Sequence, residues 1–551
     1  MNPAFLPFIA QPDSQIRWPA TLQLGLADPD RPHSTNRKVG ITVLLLLSIF
    51  LSACNPLWGS NVSTSTATPS QVVFWTAQPP TPLPTWTPEP TFTPTATPLP
   101  SPTPTQTPTL VVQRVPLLYY SQSGDSLSAV AAHFAVLPFE ITSSAPLPQT
   151  GLLDPDTPLL IPNRLGETTP GVQILPDGEL VYSPSAIGFD IASYLSAAGG
   201  YLGNGYREYL ASTGWNNGAQ AVERIALDNS INPRLLLALI EYESGWVDGQ
   251  PSNLAQGDYP LGHVDYYYRG LFRQMMWAVQ ELSIGYYGWR DGTLTSLFFP
   301  DGTILRLSPG LNAGSVAIQY FFSRTRNFAE WAQVVDPNVG FPALYARMFG
   351  DPWTLAQDVE PLIPPGLTQP ALTLPFEIGQ IWSYSGGPHP AWELQGALAA
   401  LDFAPGSDVS GCAPSDRWIL ASAPGLVVRS LAGVVVLDLD GDGYEQTGWD
   451  LLFLHVATKG RVAAGVRLKA GDFIGHPSCE GGIATGTHLH FARKFNGEWI
   501  LADGPLPFTL SGWVAHYGGK PYEGALTKDD KTIVARPDGS AGTKIIRNPG
   551  E

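Results

Sequence analysis

The chain has 551 residues, 54 of them proline and 56 glycine, and a formal net charge of −17. That length leaves room for two or three domains rather than one. The acidic balance argues against nucleic acid as a partner, because such binding depends on neutralising phosphates with Lys and Arg.

Residues 37–54 read RKVGITVLLLLSIFLSAC. Arg37 and Lys38 form a basic start, and Ile41 to Leu51 form an apolar run. The run is too short to cross a bilayer, which takes roughly 20 residues. Basic flank, short apolar run and small residues before a cut site are the parts of a secretory signal. Residues 1–36 precede it, as a mis-assigned start codon would produce. Leu51-Ser52-Ala53-Cys54 resembles the bacterial lipobox. That resemblance implies cleavage before Cys54, a lipid on its thiol and an exported protein held on the membrane. With Cys54 set apart, Cys412 and Cys479 remain, and a single pair in an exported protein reads as a disulfide.

Residues 55–113 are rich in Thr and Pro. Proline fixes φ and removes a donor, so neither helix nor sheet forms. Extended polyproline II at about 3.1 Å per residue would carry the densest part, about 45 residues, roughly 140 Å from the membrane.

Next comes YYSQSGDSLSAVAAHFAVLPFEI, residues 119–141, closing with LLIPN at 159–163. Leu127, Val130, Ala131 and Phe134 make the apolar stripe of a short helix, and Asp125 or Ser126 can cap it. The strand–helix–helix–strand order over 114–165 resembles a LysM module, a βααβ unit. The resemblance implies binding to the glycan strands of peptidoglycan.

Residues 175–365 are mainly helical in pattern. Within NSINPRLLLALIEYESGW (229–246), Asn232 and Pro233 suit a helix start, and Gly245 suits its end. Leu235, Leu236, Leu239 and Ile240 form the predicted buried stripe, and Glu243 falls on that face. A carboxyl near apolar surroundings has a raised pKa, as a general acid needs. Glu241 lies off the face and is the weaker candidate. The string resembles the catalytic helix of lytic transglycosylases and goose-type lysozymes, which would make Glu243 the catalytic acid. LNAGSVAIQYFF (311–322) is similar to a later helix of that fold. The Gly-Leu-Met-Gln loop of many transglycosylases is not visible.

Five of the nine histidines lie between 389 and 490: His389, His455, His476, His488 and His490. Strand-like, Gly-rich surroundings such as DLLFLHVA and GTHLHFARKF predict an antiparallel sheet. In His488-Leu489-His490, residues i and i+2 of a strand face one side, so two imidazoles enter one site. A catalytic zinc takes three protein ligands and leaves a place for water.

The run CEGGIATGTHLHFARKFNGEW (479–499), with GGPH (386–389) and LDFAP (401–405), resembles the β-lytic and lysostaphin-type zinc endopeptidases over about 370–525. The commoner His-x-x-x-Asp pattern fails here because position 398 is Leu. The β-lytic branch takes its His from a GGxH turn instead. The resemblance implies a mainly β antiparallel domain with a duplicated hybrid motif. It places zinc on His389, Asp402 and His490, with His455 and His488 as non-ligand catalytic histidines. His476 is expected to be structural, and residues 526–551 are expected to form a tail.

Asp438-Leu439-Asp440-Gly441-Asp442-Gly443 opens like an EF-hand calcium loop, but position 449 is Trp where the closing Glu would fall. A hairpin turn with exposed aspartates is the expectation. The whole reads as a multidomain peptidoglycan hydrolase: LysM targeting, a zinc endopeptidase acting on stem or cross-bridge peptides, and glycan cleavage through Glu243 as a second activity. The competing reading is an inactive peptidase-like wall-binding or hydrolase-activator protein.

Overall fold

In the computed structural model, which describes residues 115–211, 213–406 and 411–550, a small βααβ-like unit comes first. The predicted signal, Cys54 and the Thr/Pro stretch lie outside the described residues. Strands β1 (Leu117–Tyr120) and β2 (Pro158–Ile161) pair antiparallel. Between them, α1 (Leu127–Phe134) starts at Ser126, whose hydroxyl accepts from the Ala129 amide at 3.2 Å. Leu127, Val130, Ala131 and Phe134 are buried with Leu159 and Ile161, as their spacing requires. The second expected helix is a single 3-10 turn, Pro138–Glu140. Ile141 is already extended, and so short a segment cannot repay helix nucleation.

A helical region follows, built on α2 (Gly218–Asn229), α3 (Pro233–Ser244), α4 (Leu271–Arg290), α5 (Ala313–Ser323) and α6 (Phe341–Phe349). Asn232 caps α3 by accepting from the Arg234 amide at 2.9 Å, and Gly245 ends it at φ 66°. All six residues from Leu235 to Ile240 are fully buried, so α3 is not a helix with one apolar stripe. It is the central helix of this region, surrounded on every side. At Gly285 of α4, an added β-carbon would stand 2.8 Å from Cα of Ala317 in α5. Glycine there lets the two helices touch backbone to backbone.

The C-terminal region is an antiparallel sheet domain. Its strands are β3 (Ile381–His389), β4 (Ala400–Pro405), β5 (Gly425–Leu431), β6 (Val434–Asp438), β7 (Trp449–Leu454), β8 (Arg467–Leu468), β9 (Leu489–Phe495) and β10 (Glu498–Trp499). Four more, β11 (Thr509–Leu510), β12 (Trp513–Tyr517), β13 (Gly524–Lys528) and β14 (Lys531–Val534), form a second sheet. The main sheet runs β8-β5-β6-β7-β9-β4-β3-β15, with β10 paired to β9. Its last strand, β15 (Lys544–Ile546), pairs with β3. Residues 526–551 are therefore not a tail: they supply strands to both sheets.

Both faces of the main sheet are covered. Val435, Leu437, Leu451, Phe453 and Phe491 join one core, while Val434, Val436, Leu452, Leu454 and Ala492 join the core of the helical region. That is why VVVLD and DLLFL read as continuous apolar runs instead of alternating. One buried cation ties the three parts together. The Arg290 guanidinium contacts the Ser123 carbonyl of the first unit, Asp177 at 2.9 Å and Glu498 of β10 at 2.9 Å. Beside it, the Ser230 hydroxyl donates to the Gly497 carbonyl at 2.7 Å.

Candidate active site

Three adjacent strands deliver the predicted ligands. Asp402 on β4 stands opposite His490 on β9 and, on its other side, opposite Gly386 on β3. His389 ends β3, where the register with β4 shifts between Gly386 and His389. The bulge re-aims His389 toward its neighbours. The two glycines before it have distinct reasons. A β-carbon at Gly386 would stand 2.6 Å from Oδ2 of Asp402, and one at Gly387 would stand 2.5 Å from the Glu523 carbonyl oxygen. His455 directly follows Leu454 of β7, which pairs with His490. It holds φ 67°, a strained conformation for a residue with a side chain.

Backbone carbonyls fix each imidazole. Nδ1 of His389 donates to the Gly387 carbonyl at 2.7 Å, and Nε2 of His490 donates to that of Ala391 at 2.8 Å. The remaining nitrogens, Nε2 of His389 and Nδ1 of His490, lie 3.0 Å apart and 3.2 and 3.4 Å from Oδ1 of Asp402. Tetrahedral zinc with bonds of about 2.0–2.1 Å sets its ligands about 3.3 Å apart. Neither inward nitrogen carries a proton in these tautomers. Oδ1 of Asp402 is accordingly buried without a hydrogen-bond donor. Burial lowers His490, keeping it a neutral donor. A carboxylate oxygen and two bare imidazole nitrogens converge on one point, which fits a cation. His389, Asp402 and His490 are thus a buried group that could hold a metal ion, and two imidazoles with one carboxylate are a donor set that suits zinc.

His455 and His488 stand beside it, with ring centres 4.5 Å apart. Nδ1 of His455 donates to the Glu480 carbonyl at 2.9 Å, and Nδ1 of His488 to that of Gly486 at 2.7 Å. Their Nε2 atoms face the cleft, that of His488 3.6 Å from Oδ1 of Asp402. Burial pushes His455 down to about 3, and the neighbouring His488 adds to this. The Cys412–Cys479 disulfide forms as expected; the loop it closes carries His455, and His488 lies beyond it. All five residues line one cleft of ≈ 1210 Å³, together with Tyr522. Tyr522 stacks on His389 at 4.2 Å. Tyr522 and the four carbonyls carry no signal in the sequence, apart from the glycines at 387 and 486. His476 donates to the Arg417 carbonyl at 2.8 Å and packs on Trp418, outside the set.

Glu243 is not part of this cleft. It lies near the end of α3, where Arg326 donates to its Oε1 at 2.6 Å. Burial raises its pKa and Arg326 opposes the rise. Glu241 instead accepts the Val247 and Asp248 amides at 2.9 and 3.1 Å, closing the turn after the helix.

Fold and site together define a protein with a mixed, largely helical N-terminal region and an antiparallel β domain whose His-Asp-His group could hold a metal ion. Comparison with known proteins gives this class particular relatives. Residues 173–363 match the family model of the LasA N-terminal domain, the region that the sequence likens to lytic transglycosylases. The chain is 27% identical over 357 residues to Protease LasA of Pseudomonas aeruginosa, covering 62% of this chain and 79% of that one. Among solved structures, the M23 metalloprotease pseudoalterin from the deep sea is 21% identical, covering 31% of this chain and 96% of that one, with a TM-score of 0.25. The catalytic domain of lysostaphin from Staphylococcus simulans is 23% identical, covering 23% and 89%, with a TM-score of 0.17.

Proposed function

We propose that this chain is an exported zinc metalloendopeptidase that cleaves the peptide cross-bridges of peptidoglycan. The observation that carries the reading is Oδ1 of Asp402, buried without a donor between two bare imidazole nitrogens. The likeness to Protease LasA supports the peptidase class. A zinc ion held there supplies Lewis-acid polarisation of the scissile carbonyl and an acidified water. His389, Asp402 and His490 hold the ion. Nε2 of His488 would accept a proton from the attacking water, and the protonated ring would pass it to the leaving amine, with the His455 ring beside it. Each Nδ1–H stays on its carbonyl throughout, which keeps the ring aimed. The filled ligand set speaks against the inactive wall-binding or activator reading.

Other parts of the chain extend this reading. The first unit has the strand–helix–turn–strand order of a LysM module and would hold the enzyme on glycan. The disulfide supports an oxidising compartment, and the LSAC run would anchor the mature protein through Cys54. Glycan cleavage by Glu243 stands second. Its burial supports a general acid, but the ion pair with Arg326 holds a carboxylate where an acid needs its proton.

Digestion of purified peptidoglycan by the zinc-loaded protein, read by mass spectrometry of the fragments, tests both. Cross-bridge products that vanish with Asp402→Ala are expected. New glycan ends lost in Glu243→Gln would instead establish the second activity, and intact sacculi would favour the activator reading.

A further inference from the structure

The hairpin joining β6 to β7 carries chemistry that the zinc site does not use. Asp438, Asp440 and Asp442 fill the first, third and fifth positions of a calcium-type loop, with Gly443 at the sixth, at φ 99°. One oxygen from each aspartate lies within 4.8 Å of the others. Asp438 is fully buried, against the expectation of an exposed turn. Three aspartates in a turn are not a site by themselves, since their amides and one another can satisfy them. Asp450 is what distinguishes this one. It stands directly across the ladder from Asp438, so both side chains leave the same face, with β-carbons about 4.5–5.5 Å apart. Asp450 is 0% exposed, and neither of its carboxylate oxygens has a hydrogen-bond partner. Buried polar groups almost always have one. The cation opposite it on β9, Lys494, gives its ammonium to Glu445 at 3.0 Å. Asp440 folds back over the same place, its carboxylate filling the space that a β-carbon on Gly448 would take.

We propose that Asp438, Asp440, Asp442 and Asp450 together bind one calcium ion, with Asp450 supplying the closing carboxylate that position 449 lacks. The donors are all hard oxygens, which select calcium or magnesium over zinc. Their irregular placement suits calcium, which takes 6–8 oxygens at about 2.3–2.6 Å in flexible geometry, whereas magnesium demands a near-ideal octahedron. Without a cation these charges oppose one another. Partial desolvation of the otherwise exposed Asp440, with Asp438 and Asp442 beside it, pushes it up to about 6, and full burial raises Asp450. The loop also carries Glu445, which pairs with Arg429 at 2.9 Å, and Arg429 reaches Asp228 of the helical region at 2.7 Å. Calcium would thereby stiffen one edge of the contact between the two regions.

Calorimetric titration of calcium chloride into the zinc-loaded full chain, in chelator-resin-treated buffer, tests this. One saturable equivalent and a raised melting temperature are expected, with magnesium chloride far weaker. Asp440→Asn, on the exposed loop, and Asp450→Asn should each weaken binding about tenfold or more, because ligand charge sets affinity, while zinc content stays the same. No saturable heat with the wild type, or wild-type affinity in both variants, would overturn the proposal.

Discussion

Gly386 and Asp402 face each other across the β3–β4 ladder, and the Asp402 carboxylate occupies the room left by the missing β-carbon, 2.6 Å from where it would stand. Gly386→Ala should therefore swing the carboxylate away from His389 and His490 without touching a ligand residue. Displacing groups that orient a ligand typically costs about 10–100-fold in metal affinity. Zinc competition with a chelating dye checks this; unchanged affinity would show that the glycine only shapes the turn.

The five site residues should separate into two classes under metal analysis. His389→Ala, Asp402→Ala and His490→Ala remove a donor from a three-donor site and should lose the zinc. His455→Ala and His488→Ala should retain it and lose turnover by about 10²–10³, the usual effect of removing one transition-state group. A His389→Ala protein with full zinc would break the assignment.

Arg290→Met should destabilise the protein by about 3–5 kcal/mol, because breaking a buried pair leaves the partner charges uncompensated. Asp177 and Glu498 are 5% and 4% exposed at the side chain, so water cannot replace the guanidinium. Urea unfolding measures the loss. Arg536→Met, whose ion pair is exposed, serves as control and should change little.

Acid should weaken the fold through His133. Its ring stacks on Trp289 at 3.5 Å, and burial pushes its pKa down to about 3. The unfolded chain takes up this proton near the ordinary pKa, about 6.5. Stability is thus complete above that pH and lost as pH falls toward 3. Within the window the term is worth about 1.4 kcal/mol per pH unit. The dependence of unfolding free energy on pH should be shallower by up to that amount in His133→Phe; parallel curves would rule the residue out.

Part of the candidate site was legible because its signals are local. His488 and His490 share a strand face by periodicity, and the resemblance of the GGxH turn to that of the β-lytic branch pointed to His389 beside Asp402. The helix ends at Asn232 and Gly245 were legible for the same reason. What the chain hid depends on distant pairing. Nothing around Lys544 announces that β15 closes the sheet against β3. Asp450 looks like any strand residue until the register sets it against Asp438. The burial of Leu237 and Ala238 follows from helices packed on a second side of α3, which its own stripe cannot reveal.

The seam around Arg290 also limits what can be done with the β domain as a cassette. Asn229 and Ser230 bond to Trp499 and Gly497 across that seam, and Asp228 holds Arg429. A graft carrying only residues 370–550 to another carrier would leave Arg429 and Glu498 without these partners and bare Val434, Val436 and Leu452. Such a chimaera would need countercharges and an apolar lid from its new host. The practical unit for transplantation therefore begins upstream of the helical region, not at the start of the sheet.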